Sequence, residues 1–382
     1  MEVERTAAAA SSPLARLKGV DPVRHLVILG GGYGGLRVIQ RLLADKEIKD
    51  FKITLVEREA YHSLKTEFYA LAAGTVADRH LRISFPEDNR LEHVCDTVTN
   101  IRLEDKSVEL KSGGTLTYDD LLIGLGCEDK YHGVPGAQEK TLSIQSMRRA
   151  RKTNQIIQNV PHGGKIAIIG GGLSGVETAS ELRESREDLD IRLYDRGENI
   201  LSMFPPKLYN YVTDWFHKNN VTLINRANIT KVEWNILYNH GEAEELDAII
   251  WTAGVQPNKL VRDLTAKHDL VTDRMGRVET TKYHHIPGFE DAFIVGDCAA
   301  SEHAPSAQLA EAQGDNIAIL LSKKWRNLPY PETLPKMKLK GVLGSLGKKH
   351  GFGLMGERKL VGRVPRVLKS GVLWMYKHHS GS

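Results

Sequence analysis

The sequence predicts an α/β protein built from two units with parallel sheets, and three observations lead to this fold class. Two glycine-rich turns of the pattern G-x-G-x-x-G, at 30–35 and 170–175, lie 140 residues apart. Each turn follows a short apolar run typical of a buried strand and precedes a segment of helical character. A further apolar run then ends in an acidic residue about 20 residues after each turn. This order of strand, turn, helix, strand and acid predicts a Rossmann-like unit that binds a dinucleotide.

The first unit begins with an apolar run at 25–29 that leads into the first glycine turn. Because glycine has no Cβ, backbone N–H groups at the start of the next helix can approach a pyrophosphate. A second strand, predicted at 51–56, ends in an acid that can bind a ribose diol. A later Gly-Asp pair follows another strand, and its combination with the first turn is the signature of FAD-binding flavoproteins. The predicted contacts of this dinucleotide are Gly30, Gly32, Gly35, Glu57, Gly126 and Asp297.

The second unit repeats the pattern, with strands at 165–169 and 190–194 on either side of its turn and helix. The second of these strands ends in Asp195, whose carboxylate favours NADH because it accepts from the ribose 2′-hydroxyl and repels a 2′-phosphate. Arg196 beside it keeps NADPH open as the alternative. Glu177, near the helix start, either stabilises the helix dipole or contacts nicotinamide or flavin. The predicted contacts of this second dinucleotide are Gly170, Gly172, Gly175, Asp195 and Gly254.

In FAD-binding flavoproteins, which this chain resembles, an NAD domain is inserted into the FAD domain, and this resemblance implies the same division here. The discontinuous FAD-binding domain is predicted at 23–140 and 286–335, and the NAD(H)-binding domain at 141–285. A flexible N-terminal arm is predicted at 1–22, and a short basic C-terminal region at 336–382.

Composition argues against several classes of protein. The three cysteines lie far apart in sequence, so neither a disulfide framework nor a zinc site is expected, and no metal site is predicted. No apolar run reaches the roughly 18 residues of a transmembrane helix, and the N-terminus lacks the apolar segment of a secretory signal. We therefore expect a protein of the cytoplasm.

Positive charge is concentrated in the C-terminal region, which has 11 Lys and Arg residues and one acidic residue, in a chain of net charge +4. Such a segment can bind an anionic membrane, nucleic acid or the phosphates of the protein's own cofactors. Few aromatic residues interleave the charges, which argues against nucleic acid. The sequence at 363–377 predicts one amphipathic helix, with Arg366, Lys369 and Lys377 opposite its apolar face. This apolar face either lies on a membrane or packs on the FAD-binding domain, and it consists of Val364, Val367, Leu368, Val372 and Met375.

Several stretches together resemble the type II (alternative) NADH:quinone oxidoreductases. The resemblance covers about residues 24–355, and its motifs are Tyr61-His62 to Gly74, Trp251 to Val255, Gly296-Asp297, AQLAEAQG at 307–314 and KGVLGSLG at 340–347. The glycine turns are shared by a whole superfamily, whereas the stretches at 307–314 and 340–347 are much more specific.

The resemblance implies an enzyme that passes electrons from NADH through non-covalently bound FAD to a quinone. It implies that Gln308 lines the quinone site, that Lys340 lies near flavin and quinone, and that Glu177 lies near the nicotinamide. These three are the predicted catalytic residues. A cation beside the flavin stabilises its anionic reduced form, and a glutamate can relay protons. The resemblance leaves open peripheral attachment to the cytoplasmic face of the membrane, and likewise a homodimer.

Three departures from the family pattern keep other functions open. Ala312 stands in place of a second glutamine, the stretch 65–67 is charged where the family is apolar with a proline, and the C-terminus is short. A sulfide:quinone oxidoreductase would use Cys127 and Cys298 beside the flavin. A ferredoxin-type reductase would expose the flavin edge to a protein. The alternative outside enzymes is a redox scaffold that binds FAD and NADH with little turnover.

Overall fold

A computed structural model describes residues 23–337 and 339–379; the predicted arm at 1–22 lies outside these residues. The helices are, in chain order, α1 (Tyr33–Ala44), α2 (Phe68–Ala73), α3 (Ala137–Lys140), α4 (Met147–Gln158), α5 (Leu173–Ser185), α6 (Pro206–Lys218), α7 (Lys259–His268), α8 (Ala307–Trp325) and α9 (Arg363–His379). The strands are, in chain order, β1 (Arg24–Leu29), β2 (Phe51–Val56), β3 (Tyr61–Ser63), β4 (Arg82–Ser84), β5 (Leu91–Val94), β6 (Val98–Arg102), β7 (Ser107–Leu110), β8 (Thr115–Thr117), β9 (Asp120–Ile123), β10 (Cys127–Asp129), β11 (Lys165–Ile169), β12 (Asp190–Tyr194), β13 (Val221–Ile224), β14 (Ile229–Glu233), β15 (Ile236–Asn239), β16 (Glu242–Glu245), β17 (Ala248–Trp251), β18 (Val255–Pro257), β19 (His285–Ile286), β20 (Phe289–Ile294), β21 (Val342–Leu346), β22 (His350–Met355) and β23 (Arg358–Gly362).

The first unit is built on a six-stranded sheet of order β19-β20-β9-β1-β2-β5, parallel except for β19. Its central strands are apolar on both faces because helices and a second sheet cover them. On one face, α1 and α8 pack through Ile39 and Ile317. On the other, the antiparallel sheet β6-β7-β8 packs through Val98 and Val108.

The second unit is built on a four-stranded parallel sheet of order β13-β12-β11-β17. One face packs on α4, α5 and α6 through Ile157, Val176 and Phe216. The other face meets the antiparallel sheet β14-β15-β16 through Val232 and Leu237. In each of the two parallel sheets, a central strand leads through a glycine turn into a helix. This arrangement confirms the predicted α/β class with two Rossmann-like units.

The chain passes between the two units through β10 and β18, which pair in an antiparallel ribbon. After β18, Val261 of α7 and the later residue Val278 pack into the core of the first unit beside Val27. From this packing we propose that the first unit resumes near β18 rather than at the predicted residue 286.

The C-terminal region forms an antiparallel sheet, β21-β22-β23, followed by α9. Leu346 and Phe352 of this sheet are fully buried in the core shared by α2, α4, α5 and α6. The 17-residue helix α9 packs across all three strands. This region therefore covers the junction between the two Rossmann-like units. Within the described part of the chain, no helix has the length and apolar character needed to cross a membrane.

Candidate functional site

The first glycine turn joins β1 to α1 and closes on its own backbone. Gly30 has a φ of +100°, and a Cβ on Gly35 would collide with the Gly30 carbonyl oxygen. Gly32 differs, because none of the described atoms lies within 4 Å of its Cβ position. Glu57, at the end of β2, accepts a hydrogen bond from the Gly31 N–H at 2.9 Å. Open space at the start of a helix, with a carboxylate beside it, fits a dinucleotide pyrophosphate and ribose.

The second glycine turn, between β11 and α5, repeats this geometry. Gly170 has a φ of +111°, and a Cβ on Gly175 would again collide with the carbonyl oxygen of the first glycine. The Cβ position of Gly172 has no described neighbour within 4 Å. Asp195, at the end of β12, accepts from the Gly171 N–H at 2.7 Å. The two turns are therefore structural duplicates, and each brings together the glycines and the acid that the sequence predicted.

Gly126 and Gly254 lie at opposite ends of the ribbon formed by β10 and β18. Their φ angles are +66° and +121°, which favour glycine. The carbonyl of Gly126 accepts from Asn258 N–H at 3.0 Å, and the carbonyl of Gly254 accepts from Lys130 N–H at 3.0 Å. Among described residues, no atom lies within 4 Å of a Cβ built on Gly126. The backbone at Gly126 therefore leaves room for the close approach of a ligand, whereas a Cβ on Gly254 would lie 3.1 Å from the His132 side chain.

Asp297 belongs to a half-buried polar cluster with Lys65 and Cys127. The Lys65 ammonium lies 3.0 Å from the Cys127 sulfur and 3.3 Å from the Asp297 carboxylate, and the thiol donates to the same carboxylate at 3.1 Å. Burial acts to raise the pKa of Asp297, but Lys65 and the Cys127 hydrogen bond leave that pKa below its usual value. Burial raises the pKa of Cys127 to about 12 despite the nearby ammonium. The charged stretch at 65–67 thus supplies a cation beside Asp297.

Glu177 lies on α5 in a second buried cluster, at the junction of the two units. Its carboxylate accepts from the backbone N–H of Ser345 at 2.9 Å and forms an ion pair with Lys369 of α9. The same ammonium donates to the Tyr69 hydroxyl at 2.7 Å and lies 3.6 Å from the Glu67 carboxylate. Burial raises the pKa of Glu177, and Lys369 opposes that effect. Sequence patterns identified Glu177 but not its partners Ser345, Lys369 and Tyr69.

Gln308 and Lys340 meet where α8 faces the residues before β21. The Gln308 side chain accepts from the Lys340 backbone N–H at 2.8 Å and donates to the Gly341 carbonyl at 3.2 Å. Burial raises the pKa of nearby Glu311, and the Lys340 charge acts in the opposite direction. Of the three predicted catalytic residues, the structure therefore brings Gln308 and Lys340 together. Glu177 lies apart from them, at the other end of β21.

The helix α9 extends from the Glu177 cluster to the first glycine turn. His62 lies within hydrogen-bonding distance of the Gly31 carbonyl, 2.8 Å, and of the Tyr376 hydroxyl of α9, 3.1 Å. Burial lowers the pKa of His62 to about 4, so the ring is neutral at physiological pH. The ring of Tyr33, inside the turn, meets His62 edge-on at 4.8 Å. The contact of Tyr376 with His62 was not predicted, because 314 residues separate the two in sequence.

The helix α9 turns part of its polar side inward and its apolar side outward. Lys369 and Tyr376 bond to buried partners, and Leu373 packs on the core. The predicted apolar face is exposed, with relative exposures of 61% for Val364, 68% for Val367, 39% for Leu368, 43% for Val372 and 44% for Met375. The alternative in which this face packs on the FAD-binding domain is therefore wrong. The inward positions instead satisfy buried acids and hydroxyls, which an apolar face could not do.

Comparison of the sequence with known proteins agrees with this geometry. The profile of the pyridine nucleotide-disulphide oxidoreductase family matches residues 24–314. The chain is 55% identical over 359 residues to the NADH dehydrogenase-like protein YutJ of Bacillus subtilis, covering 94% of this chain and all of that protein. It is 26% identical to a type II NADH:quinone oxidoreductase of Staphylococcus saprophyticus, covering 91% of this chain and 93% of that one.

Comparison with solved structures shows the same fold. The NDH2 of Plasmodium falciparum, solved in complex with NADH, has a TM-score of 0.77 at 16% identity and covers 94% of this chain and 96% of its own. The sulfide:quinone oxidoreductase of Aquifex aeolicus has a TM-score of 0.76 at 17% identity and covers 94% of this chain and 92% of its own.

Proposed function

Because the chain belongs to the pyridine nucleotide-disulphide oxidoreductase family, we propose that it is an NADH dehydrogenase with FAD in the turn at 30–35 and NADH in the turn at 170–175. The proposal rests on one observation, the duplication of the glycine-turn site. Each turn leaves open space at a helix start. In each, a carboxylate at the end of a strand accepts a hydrogen bond from the backbone of the turn, Glu57 in the first and Asp195 in the second. An enzyme that holds two dinucleotides is suited to moving a hydride between them.

The chain itself supplies position and charge to this reaction. Bound FAD would supply the chemistry of hydride acceptance from NADH and of electron transfer to the acceptor. Asp297, paired with Lys65, is placed to bind a polyol near the Gly126 backbone. Gln308 fixes the backbone of Lys340 and Gly341. We propose that the Lys340 cation thereby stabilises the negative charge that develops on the flavin during reduction.

We propose a quinone as the electron acceptor. Similarity to the type II NADH:quinone oxidoreductase of Staphylococcus saprophyticus supports this choice, as does the contact between Gln308 and the Lys340 backbone. The alternative of a sulfide:quinone oxidoreductase is less favoured, because Cys298 is fully buried. The pKa of Cys127, about 12, also leaves little thiolate at neutral pH for attack on sulfide-derived species.

We further propose that α9 attaches the protein peripherally to a membrane. Its exposed face carries Val364, Val367, Leu368, Val372 and Met375, and Trp374 beside them is 66% exposed. Exposed Arg363, Arg358 and Lys359 lie close by in sequence. An exposed apolar face with basic residues close by in sequence favours the surface of an anionic bilayer.

The test is a pair of half-reactions on the purified protein, which should be yellow from bound FAD. Under anaerobic conditions, NADH should bleach the flavin absorbance. Reoxidation is then compared with a soluble menaquinone analogue, a ubiquinone analogue and ferredoxin. Fast reoxidation by a quinone supports the proposal. Reoxidation by ferredoxin alone favours the protein-reductase alternative, and slow reduction by NADH in flavin-loaded protein favours the redox scaffold.

A further inference from the structure

The carbonyl of Gly31, inside the first glycine turn, is held by the side chain of His62. The His62 Nδ1 lies 2.8 Å from the Gly31 oxygen, and its Nε2 lies 3.1 Å from the Tyr376 hydroxyl. A carbonyl oxygen can only accept, so Nδ1 carries the proton. Because burial keeps this ring neutral at physiological pH, Nε2 accepts from the Tyr376 O–H. Two hydrogen bonds in series thus connect the turn to α9.

The second glycine turn holds the equivalent carbonyl in a different way. Gly31 and Gly171 occupy the same place in the two turns, and each donates its N–H to the carboxylate at the end of the second strand of its unit. The Gly171 carbonyl accepts from the Leu201 backbone N–H at 2.8 Å. Both turns therefore fix this carbonyl, one through a histidine side chain and the other through backbone.

The direction of this carbonyl sets the direction of the next N–H group. The described chain contains no cis peptide bond, and in a trans peptide the C=O and the N–H point in opposite directions. A Gly31 carbonyl that faces His62 therefore turns the Gly32 N–H away from His62. Among the described residues, none accepts from this N–H and none lies within 4 Å of a Cβ on Gly32. The N–H is thus available to a phosphate at the start of α1.

The turns depend on such hydrogen bonds because their backbone has little rigidity of its own. Each begins with three consecutive glycines, at 30–32 and 170–172, and glycine is the residue least restricted by sterics. Gly32 and Gly172 nevertheless have nearly the same conformation, with φ and ψ of −71° and −173° in the first and −74° and −176° in the second. His62 therefore does for the first turn what the Leu201 backbone does for the second.

We propose that His62 and Tyr376 are positioning residues for FAD, through which α9 orients the phosphate-binding turn at 30–35. The inference rests on the proposed function in one respect, the placement of FAD in this turn. His62 acts through the Gly31 peptide. Tyr376 acts through His62, because its hydroxyl holds the tautomer in which Nδ1 carries the proton. Without that hydroxyl the proton can move to Nε2, and Nδ1 then presents a lone pair to the Gly31 carbonyl.

Aromatic packing holds the two side chains against the turn. His62 is fully buried, and the Tyr376 ring lies 5.8 Å from the His62 ring and 5.2 Å from the ring of Tyr33, which belongs to the turn. The Tyr33 hydroxyl in turn lies 3.0 Å from the Thr66 hydroxyl. Tyr376→Phe therefore keeps the ring contacts and removes only the hydroxyl that faces His62.

The experiment measures the FAD affinity of the full-length protein, freed of FAD and titrated by quenching of flavin fluorescence. The variants are His62→Leu, His62→Asn, Tyr376→Phe and the double variant His62→Leu/Tyr376→Phe. Tyr211→Phe is the matched control, because it removes the hydroxyl from another tyrosine–histidine contact, that of Tyr211 with His350 at 3.1 Å. NADH affinity of the same proteins is the internal reference, since Leu201 holds the second turn.

We expect His62→Leu to weaken FAD binding at least about tenfold, because a carbonyl of the turn loses its donor. His62→Asn should restore much of the affinity, since its amide can donate from the place of Nδ1. Tyr376→Phe should weaken FAD binding about threefold to tenfold, as expected for one neutral hydrogen bond. The phosphorus NMR signals of bound FAD should shift in Tyr376→Phe. Tyr211→Phe should match the intact protein, and NADH affinity should not change in any variant.

The double variant shows whether Tyr376 acts through His62. In the His62→Leu background, Tyr376→Phe should weaken FAD binding no further, because the hydroxyl has no ring nitrogen to bind. Additive losses would mean that Tyr376 contacts FAD directly and would overturn the proposal. Intact FAD affinity in His62→Leu, or equal losses of FAD and NADH affinity, would also overturn it. If His62→Leu does not fold, the comparison of Tyr376→Phe with Tyr211→Phe decides.

Gly32→Ala separates this inference from the proposed function. Its methyl group enters the open space at the helix start, so FAD affinity should fall if FAD lies in this turn. A loss of FAD affinity in Gly32→Ala, but not in His62→Leu or Tyr376→Phe, overturns the positioning role alone. Unchanged FAD affinity in Gly32→Ala overturns the placement of FAD at 30–35, and this inference with it.

Discussion

Gly172 and Gly175 lie in the same turn, and their surroundings predict different effects of an added methyl group. A Cβ on Gly175 would collide with the Gly170 carbonyl oxygen, whereas a Cβ on Gly172 has no described neighbour within 4 Å, and the Gly172 φ of −74° is one that alanine can adopt. We expect Gly172→Ala to fold normally but to bind NADH at least about tenfold more weakly, because the methyl group occupies the space of the pyrophosphate. Fluorescence titration with NADH and thermal unfolding measure the two effects.

Gly175→Ala serves as the contrast within the same turn. Its methyl group meets backbone rather than open space, so this variant should lose stability as well as NADH binding. Equal unfolding temperatures for the two variants, or full NADH binding by Gly172→Ala, would show that the turn does not hold the dinucleotide.

The sequence could predict Glu57 and Asp195 because each lies a fixed distance from a glycine turn along one strand–helix–strand unit. It could not predict that Lys369 meets Glu177, since 192 residues separate them. A helical wheel shows which residues share a face but not which face turns inward. On α9 the buried carboxylates decide that question, and they attract a lysine that amphipathicity alone would place in solvent.

The junction between α8 and β21 sets the position of Lys340 through the side chain of Gln308. We expect Gln308→Ala to slow flavin reoxidation by quinone roughly tenfold to a hundredfold, since two hydrogen bonds to the backbone at 340–341 are lost. Flavin reduction by NADH should change little. Stopped-flow absorbance resolves the two half-reactions.

The matched control for this variant is Gln155→Ala, which removes an exposed glutamine from α4. It should leave both half-reactions unchanged. If Gln308→Ala slows reduction by NADH as much as reoxidation, the residue acts on the flavin generally and the acceptor docks elsewhere.

The outward face of α9 makes membrane attachment testable without disturbing the fold. Val367 and Val372 are exposed, so the double variant Val367→Asn/Val372→Asn should fold as stably as the intact protein. Its affinity for anionic vesicles should fall roughly tenfold to a hundredfold, because each buried valine contributes about 1.5 kcal/mol. Sedimentation with vesicles at low and high salt measures this, and salt should weaken binding of the intact protein.

A single exposed valine elsewhere, Val271, provides the control as Val271→Asn, and vesicle binding should not change. Binding that is the same in the double variant and in the intact protein would rule out α9 as the membrane contact.

The strands β21, β22 and β23 beside this helix were not predicted from sequence. Their glycines interrupt the usual alternation, and only packing on α5, α6 and α9 explains them as strands.

Across the whole molecule, buried neutral histidines should make the fold sensitive to acid. Burial lowers the pKa of both His62 and His284 to about 4, from 6.5 in an unfolded chain. The unfolded state therefore binds more protons between these values, so stability is fully present above pH 6.5 and is lost as pH falls towards 4. Each histidine should account for up to about 3 kcal/mol of this loss.

Urea unfolding at a series of pH values measures the effect on the free energy of unfolding. His284→Gln should flatten the pH dependence in this range, although it also lowers stability at neutral pH. A slope that is identical in His284→Gln and in the intact protein would show that His284 titrates normally in the folded state.

The two faces of α9 couple contacts in the protein interior to contacts with a bilayer on the opposite side of the helix. Lys369 and Tyr376 reach the interior, while Val367 and Val372 face outward on the same 17-residue rod. If binding to a bilayer stabilises α9 in this position, it also stabilises the contact of Lys369 with Glu177. Thermodynamic reciprocity then requires the converse. A cofactor whose binding stabilises this contact raises the affinity of the protein for the bilayer by the same factor.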